Sequence, residues 1–84
     1  MARRKPVATQ EEELLELAAR RVQIPEGKLW LAYQSDVDLL VIRLKERPHP
    51  TRSNSDLEKG VVYNYEGREL VSIEVLDLYG VFTA

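Results

Sequence analysis

Four runs of the chain alternate in the manner of β-strands: Leu29-Trp30-Leu31-Ala32-Tyr33, Leu39-Leu40-Val41-Ile42-Arg43-Leu44, Val61-Val62-Tyr63-Asn64-Tyr65 and Leu70-Val71-Ser72-Ile73-Glu74-Val75-Leu76. Each is rich in β-branched, aromatic or other apolar residues and is closed off by Asp, Gly, Pro, Ser or Asn. Successive side chains of a strand point to opposite faces, so the pattern assigns faces directly. Leu29, Leu31 and Tyr33 fall together, with Trp30 and Ala32 opposed. Leu40, Ile42 and Leu44 oppose Leu39, Val41, Arg43, Lys45 and Arg47. Val71, Ile73 and Val75 oppose Leu70, Ser72, Glu74 and Leu76. One face is therefore apolar throughout and the other apolar in patches.

Ahead of the strands the period changes. Leu14, Leu15, Ala18 and Val22 recur at helical spacing, with Leu17 and Ala19 widening the stripe, which predicts an amphipathic helix over 9–22. Thr9 and Glu12 form a capping-box pattern at its start. Glu11, Glu12 and Glu13 are expected in its first turn and Arg20 and Arg21 in its last, both favourable to the helix dipole. Pro25, Glu26 and Gly27 turn the chain toward the first strand. Residues 1–8, with Arg3, Arg4, Lys5 and Pro6, read as a flexible basic arm.

The connections fit a meander. Ser35-Asp36-Val37-Asp38 is a short turn, and Glu66-Gly67-Arg68-Glu69 closes a tight hairpin in which Gly67 can take a positive φ. Residues 48–56 read as a polar loop, since Pro48 and Pro50 exclude a central strand. The expected fold is α+β: a single domain over 1–84 in which one N-terminal helix packs on a four-stranded antiparallel β-meander spanning 28–82. A helix of about 14 residues is roughly 21 Å long and covers one face of such a sheet, not two. The leftover patch of Trp30, Leu39 and Val41, with Val62 at its margin, needs a second cover. So does the apolar tail Leu78-Tyr79-Gly80-Val81-Phe82. Self-association is the simplest source, with a dimer favoured among homo-oligomers.

Composition narrows the function classes. With 84 residues the chain has a thin core of its own, and its 44% hydrophobic and 31% charged residues suit a globular domain. It has no cysteine, which removes disulfides, thiolate metal sites and a cysteine nucleophile and suits a reducing cytoplasm. The basic start is followed by Glu11-Glu12-Glu13 instead of an apolar core, so no secretory signal is expected, and no run is long enough to span a membrane. The net charge of −2 gives no bulk field toward nucleic acid or anionic lipid.

The run Tyr33-Gln34-Ser35-Asp36-Val37-Asp38-Leu39-Leu40-Val41-Ile42-Arg43-Leu44, then Gly60-Val61-Val62-Tyr63-Asn64-Tyr65, then Gly67-Arg68-Glu69-Leu70-Val71-Ser72-Ile73-Glu74-Val75-Leu76-Asp77, resembles the domain of unknown function 2283 family of small prokaryotic proteins. The resemblance covers residues 29–77 and marks Asp36, Asp38, Glu74 and Asp77 as family-matching acidic positions. Gln34 and Asn64 stand where the family pattern has aspartate, and Ser72 where it has glycine, which weakens any site those positions formed. The resemblance implies no established activity. That some similar genes sit beside genes for toxin-like small proteins suggests an antitoxin-like role.

Read as residues, the same acidic positions have a structural explanation. Asp36 and Asp38 suit a turn stabilised by side-chain-to-backbone hydrogen bonds, and Glu74 suits pairing with a cross-strand base such as Arg43. The alternative, general acid–base work or a divalent cation, needs convergent carboxylates. His49 is the only histidine and sits between prolines, so no transition-metal centre is expected. Ser53 and Ser55 have no neighbouring base, and the glycines form no phosphate loop. No catalytic residue, cofactor or metal ligand is predicted. The candidate interaction surface is Trp30, Leu39, Val41, Arg43, Lys45 and Arg47, for a second copy or a small protein partner. The alternative is a nucleic-acid accessory protein that uses the basic arm, the Arg43/Lys45/Arg47 row and Arg52 on phosphates. A stacking platform at Tyr63 and Tyr65 is a weaker variant of that reading, since tyrosines on a strand more often pack the sheet.

Overall fold

The computed structural model describes the backbone of residues 7–80 and the side chains of residues 10–80. Its elements are helix α1 (Val7–Ala19) and strands β1 (Trp30–Gln34), β2 (Leu39–Arg43), β3 (Arg52–Asp56), β4 (Val61–Glu66) and β5 (Glu69–Leu76). The α+β class holds, with five strands in place of the expected four.

Helix α1 begins two residues before Thr9, so Val7 and Ala8 belong to it and Thr9 is an interior residue, not its cap. The glutamates consequently occupy the second turn and the first turn carries no acid. The helix stops at Ala19, ahead of both arginines, because the backbone tightens. Arg20 N–H donates to Leu17 C=O at 3.3 Å and Arg21 N–H to Ala18 C=O at 2.9 Å, a spacing of three residues that breaks the regular ladder. Ala18 and Val22 are buried, whereas Ala19 is exposed and does not widen the apolar stripe. The remainder of the basic arm and the tail residues Val81 and Phe82 lie outside the described residues.

All strand pairs are antiparallel, yet the sheet is not a simple meander. Its order is β1-β2-β5-β4-β3. A meander of the four expected runs would set β2 beside β4. Instead the last strand inserts between them, and β2 to β5 form a Greek key in which residues 44–51 carry the chain past two strands to the far edge. Burial explains the insertion. Strand β5 holds Val71, Ile73 and Val75, all fully buried, and a strand with that content is stabilised most in the middle of the sheet.

Strand β3 was hidden by its polarity. Its residues Arg-Ser-Asn-Ser-Asp are exposed except Asp56, so no hydrophobic alternation marks them. Pro48 and Pro50 exclude only what precedes it. At the sheet edge β3 needs one partner, and it pairs with β4 from Arg52↔Tyr65 to Asp56↔Val61. The Arg52 guanidinium also lies over the Tyr65 ring, 4.3 Å from its centroid.

Directly opposed residues share a face, so the register defines rows across the sheet. Leu31, Ile42, Ile73 and Tyr63 form one, and Tyr33, Leu40, Val75 and Val61 the next. Ala18, Val22 and Leu78 close over them, with Leu14, Leu15 and Leu17 of α1 packed alongside. Between Asn64 and Tyr65 the register of β4 on β5 jumps from Ser72 to Leu70, which leaves Val71 in a bulge without a partner on β4, while its C=O accepts from Leu44 N–H at 2.8 Å. The bulge re-aims the strand end. Leu70, expected opposite the Ile73 face, packs against the same core as Ile73.

Arg21 fastens helix to sheet. Its guanidinium donates to the carbonyl oxygens of Leu76 at 2.5 Å, Asp77, and Leu78 at 3.3 Å, the last backbone group of β5 and the two that follow it. Charge-assisted hydrogen bonds contribute about 1.5–3 kcal/mol where they are not freely solvated. Arg21→Ala is therefore expected to lower stability by about 2 kcal/mol, and Arg21→Lys, with no planar fork, to restore only part of it; denaturant midpoints at constant m-value report both.

Candidate functional site

The sheet face turned away from α1 has no covering element among the described residues. From edge to edge its rows read Trp30, Arg43, Ser72, Asn64, Ser53, and then Ala32, Val41, Glu74, Val62, Ser55. Leu39 and Leu76 continue it toward the β1–β2 turn. Trp30, Leu39, Val41, Val62 and Leu76 are all half-buried, so apolar side chains on β1, β2, β4 and β5 meet water around Arg43 and Glu74. Of the expected interaction surface, Trp30, Leu39, Val41 and Arg43 are brought together here.

Lys45 and Arg47 are not part of that row. Strand β2 ends at Arg43, so the alternation expected to align the three bases stops there. Lys45 Nζ instead reaches Glu66 at 3.3 Å and Glu69 at 3.9 Å, and Arg47 is exposed in the connection. Nor is β2 an edge strand, since β1 and β5 flank it. The His49 backbone N–H and the Lys45 ammonium both donate to Glu66 and hold its carboxyl below the usual range. His49 itself is exposed.

A polar network crosses β3, β4 and β5 on the same face. The Ser53 hydroxyl donates to Asn64 Oδ1 at 2.6 Å, and Asn64 Nδ2 donates to Ser72 Oγ and to Glu74 Oε2, each at 3.0 Å. Asn64 and Ser72 are only 6% and 5% exposed, so these bonds satisfy groups that water does not reach. Glu74 is thus bonded to Asn64 and not to Arg43, whose guanidinium donates to Glu46 C=O at 2.7 Å. Register accounts for the difference: Arg43 stands opposite Ser72, and Val41 opposite Glu74.

Asp38 and Asp77 meet at one end of the sheet. Both have positive φ, 54° and 50°, a conformation that Asp and Asn tolerate better than most residues. Asp38 ends the β1–β2 turn as expected, but its bonds reach across the fold. Its carboxylate accepts from the Tyr33 hydroxyl at 2.5 Å and from Tyr79 N–H at 3.1 Å, and its carbonyl accepts from Leu78 N–H at 3.1 Å. Asp77 C=O accepts from Gly80 N–H at 2.8 Å. Asp36 is exposed in the turn. The four acidic positions therefore divide between a backbone junction, a turn and the Asn64 network. Among the described residues no three His, Asp or Glu side chains converge so that they could hold a metal ion.

The hydrogen bond to Asp38 pushes the Tyr33 hydroxyl up to about 12 from 10.0, with burial adding to it. Because this folded-state value lies above the unfolded one, the coupling is intact below pH 10 and is lost as pH rises through about 12. Asp38→Asn is expected to return the Tyr33 titration toward its ordinary value, read from ring-carbon shifts of labelled tyrosine. Sequence reading overlooked Tyr33, Tyr79 and Arg21 as tertiary ties. Only the short span from Tyr33 to Asp38 across a hairpin hinted at the first.

The described chain is thus a small α+β domain with a Greek-key antiparallel sheet, one face under a helix and one open, with no helix long and apolar enough to cross a membrane. The family described as "Protein of unknown function (DUF2283)" matches residues 30–78, more than half of the chain, and the protein belongs to that family. The match runs from β1 to the buried Leu78 and leaves α1 outside it. No curated protein and no solved structure matches the chain.

Proposed function

We propose that this protein is a non-enzymatic interaction module that self-associates through the sheet face opposite α1. The observation that carries the reading is the half-buried set Trp30, Leu39, Val41, Val62 and Leu76 on a face that no element of the described chain covers. Covering it removes apolar area from water at about 25 cal/mol per Å². A two-fold arrangement also lets Arg43 of one copy approach Glu74 of the other, two opposite charges not joined by a salt bridge within the described chain. The hydroxyls on this side support a structural role, since Ser53 and Ser72 are both engaged with Asn64.

The antitoxin-like role suggested by the family resemblance belongs to the same face, with a small protein partner in place of the second copy. Sedimentation at tens of micromolar is expected to show a dimer for the wild type and a monomer for Val41→Glu, with unchanged far-UV circular dichroism. A monomeric wild type overturns self-association. Co-purification of a small protein from the native host, lost in the same variant, then assigns the face to that partner.

A further inference from the structure

On the helix side of the sheet, Gln10, Glu13 and Leu14 of α1 and the rings of Tyr33 and Tyr79 line a cleft of about 320 Å³. We propose that this cleft is a binding site for an organic cation, a protonated amine or guanidinium carried on a short alkyl chain. It lies apart from the open sheet face, and the proposal stands whether or not that face mediates self-association.

The geometry supplies what such a cation needs. The two tyrosine rings pack edge to face, 5.7 Å apart between centroids and inclined at 72°, and both border the cleft. Ring faces attract cations through their quadrupole. Tyr33 donates its hydroxyl proton to the Asp38 carboxylate, which leaves its ring richer in electrons than a solvated phenol. The same carboxylate accepts the Tyr79 backbone N–H and fixes the second tyrosine. Glu13 supplies the formal charge. It is exposed at the rim, and none of the salt bridges among the described residues uses it. Among the described residues no lysine or arginine lines the cleft, and Glu13 is the one carboxylate in its lining. Leu14 adds an apolar patch for an alkyl stem.

Size agrees with the chemistry. Small-molecule pockets run from about 300 to 1,000 Å³, so this cleft suits a single side-chain-sized group. Tyr79 is 47% exposed, a large aromatic surface left in water beside a carboxylate, and a bound cation with its stem would cover it.

The test is a titration of the full chain with n-butylammonium and n-butylguanidinium, followed through the ring resonances of Tyr33 and Tyr79. n-Butanol and butyrate serve as neutral and anionic controls. Both cations are expected to shift the two rings saturably with millimolar affinity, and the controls to leave them in place. Glu13→Gln should weaken binding about five- to tenfold, and Tyr79→Ala should do so at least as much. Both residues are exposed, so the variants keep the fold, which the melting temperature verifies. A short lysine peptide that binds more tightly than butylammonium assigns the site to a peptide side chain; equal or weaker binding assigns it to a small amine. Absence of saturable shifts up to about 50 mM, equal binding of butanol, or full affinity in both variants overturns the proposal.

Discussion

An Ile73→Ala protein is expected to lose about 2–5 kcal/mol of stability. Ile73 is fully buried at the centre of the row Leu31, Ile42, Ile73, Tyr63, with Ala18 and Val22 closing over the core. The substitution removes three methyl or methylene carbons and leaves a cavity that strands on both sides keep from collapsing. An 84-residue domain at roughly 0.05–0.15 kcal/mol per residue has about 4–13 kcal/mol in total, so the loss is a large share of it. The denaturant midpoint should fall steeply at an m-value close to that of the wild type. Ile73→Val should cost only about 0.5–1.5 kcal/mol. A loss below 1 kcal/mol for the alanine variant would refute the placement of β5 at the centre of the sheet.

The second large effect concerns charge. Asn64→Asp is expected to cost about 2–4 kcal/mol at neutral pH, since it deletes two donors and places a second carboxylate beside Glu74 in a site that water barely reaches. Two such carboxylates cannot both ionise at little cost, so the pair binds a proton more tightly in the folded state than in the unfolded one. The folded protein then holds more protons above the ordinary carboxyl range, and the variant loses stability as pH rises. The penalty should shrink toward pH 4 and be largest near pH 7 and above, as urea unfolding across that range would show. Asn64→Ser, which adds no charge, should cost less and show no such slope. A pH-independent penalty for the aspartate variant would mean that Glu74 does not face position 64.

That site gives a physical meaning to the departures that the resemblance implies at positions 64 and 72. Asn64 and Ser72 are hydrogen-bonded to each other, so two positions that look independent along the chain are one contact in space. A glycine at 72 would offer no hydroxyl, and an aspartate at 64 no N–H to give to Glu74. Two of the acidic positions, Asp38 and Asp77, are explained by backbone conformation. Asp38 and Asp77 hold left-handed backbone, and Asp38 also joins the β1–β2 turn to the segment after β5.

Much of the fold was legible because alternation is local. The runs at 29–33, 39–44, 61–65 and 70–76 became β1, β2, β4 and β5 with small changes of boundary, and Gly67 turned the last hairpin with φ of 65°. The helix was legible for the same reason, although its start moved by two residues. Strand β3 was not legible, since an edge strand with exposed side chains is held by backbone hydrogen bonds that any residue but proline can make. The basic row failed because it assumed that β2 continues past Arg43, while Lys45 is drawn aside to Glu66 and Glu69.

The sequence by itself determined four of the five strand segments, that one face is strongly apolar, and that an amphipathic helix accompanies the sheet. Those are properties of neighbours along the chain, set by the two-residue period of strands and the 3.6-residue period of helices. Tertiary structure alone decided that β5 lies between β2 and β4, that Val71 sits in a bulge, that Glu74 bonds Asn64, and that Tyr33 and Tyr79 share a corner with Asp38. The reason is that burial is a competition among all strands at once. The strand with the most apolar surface takes the centre, and register then chooses the partner of every polar side chain.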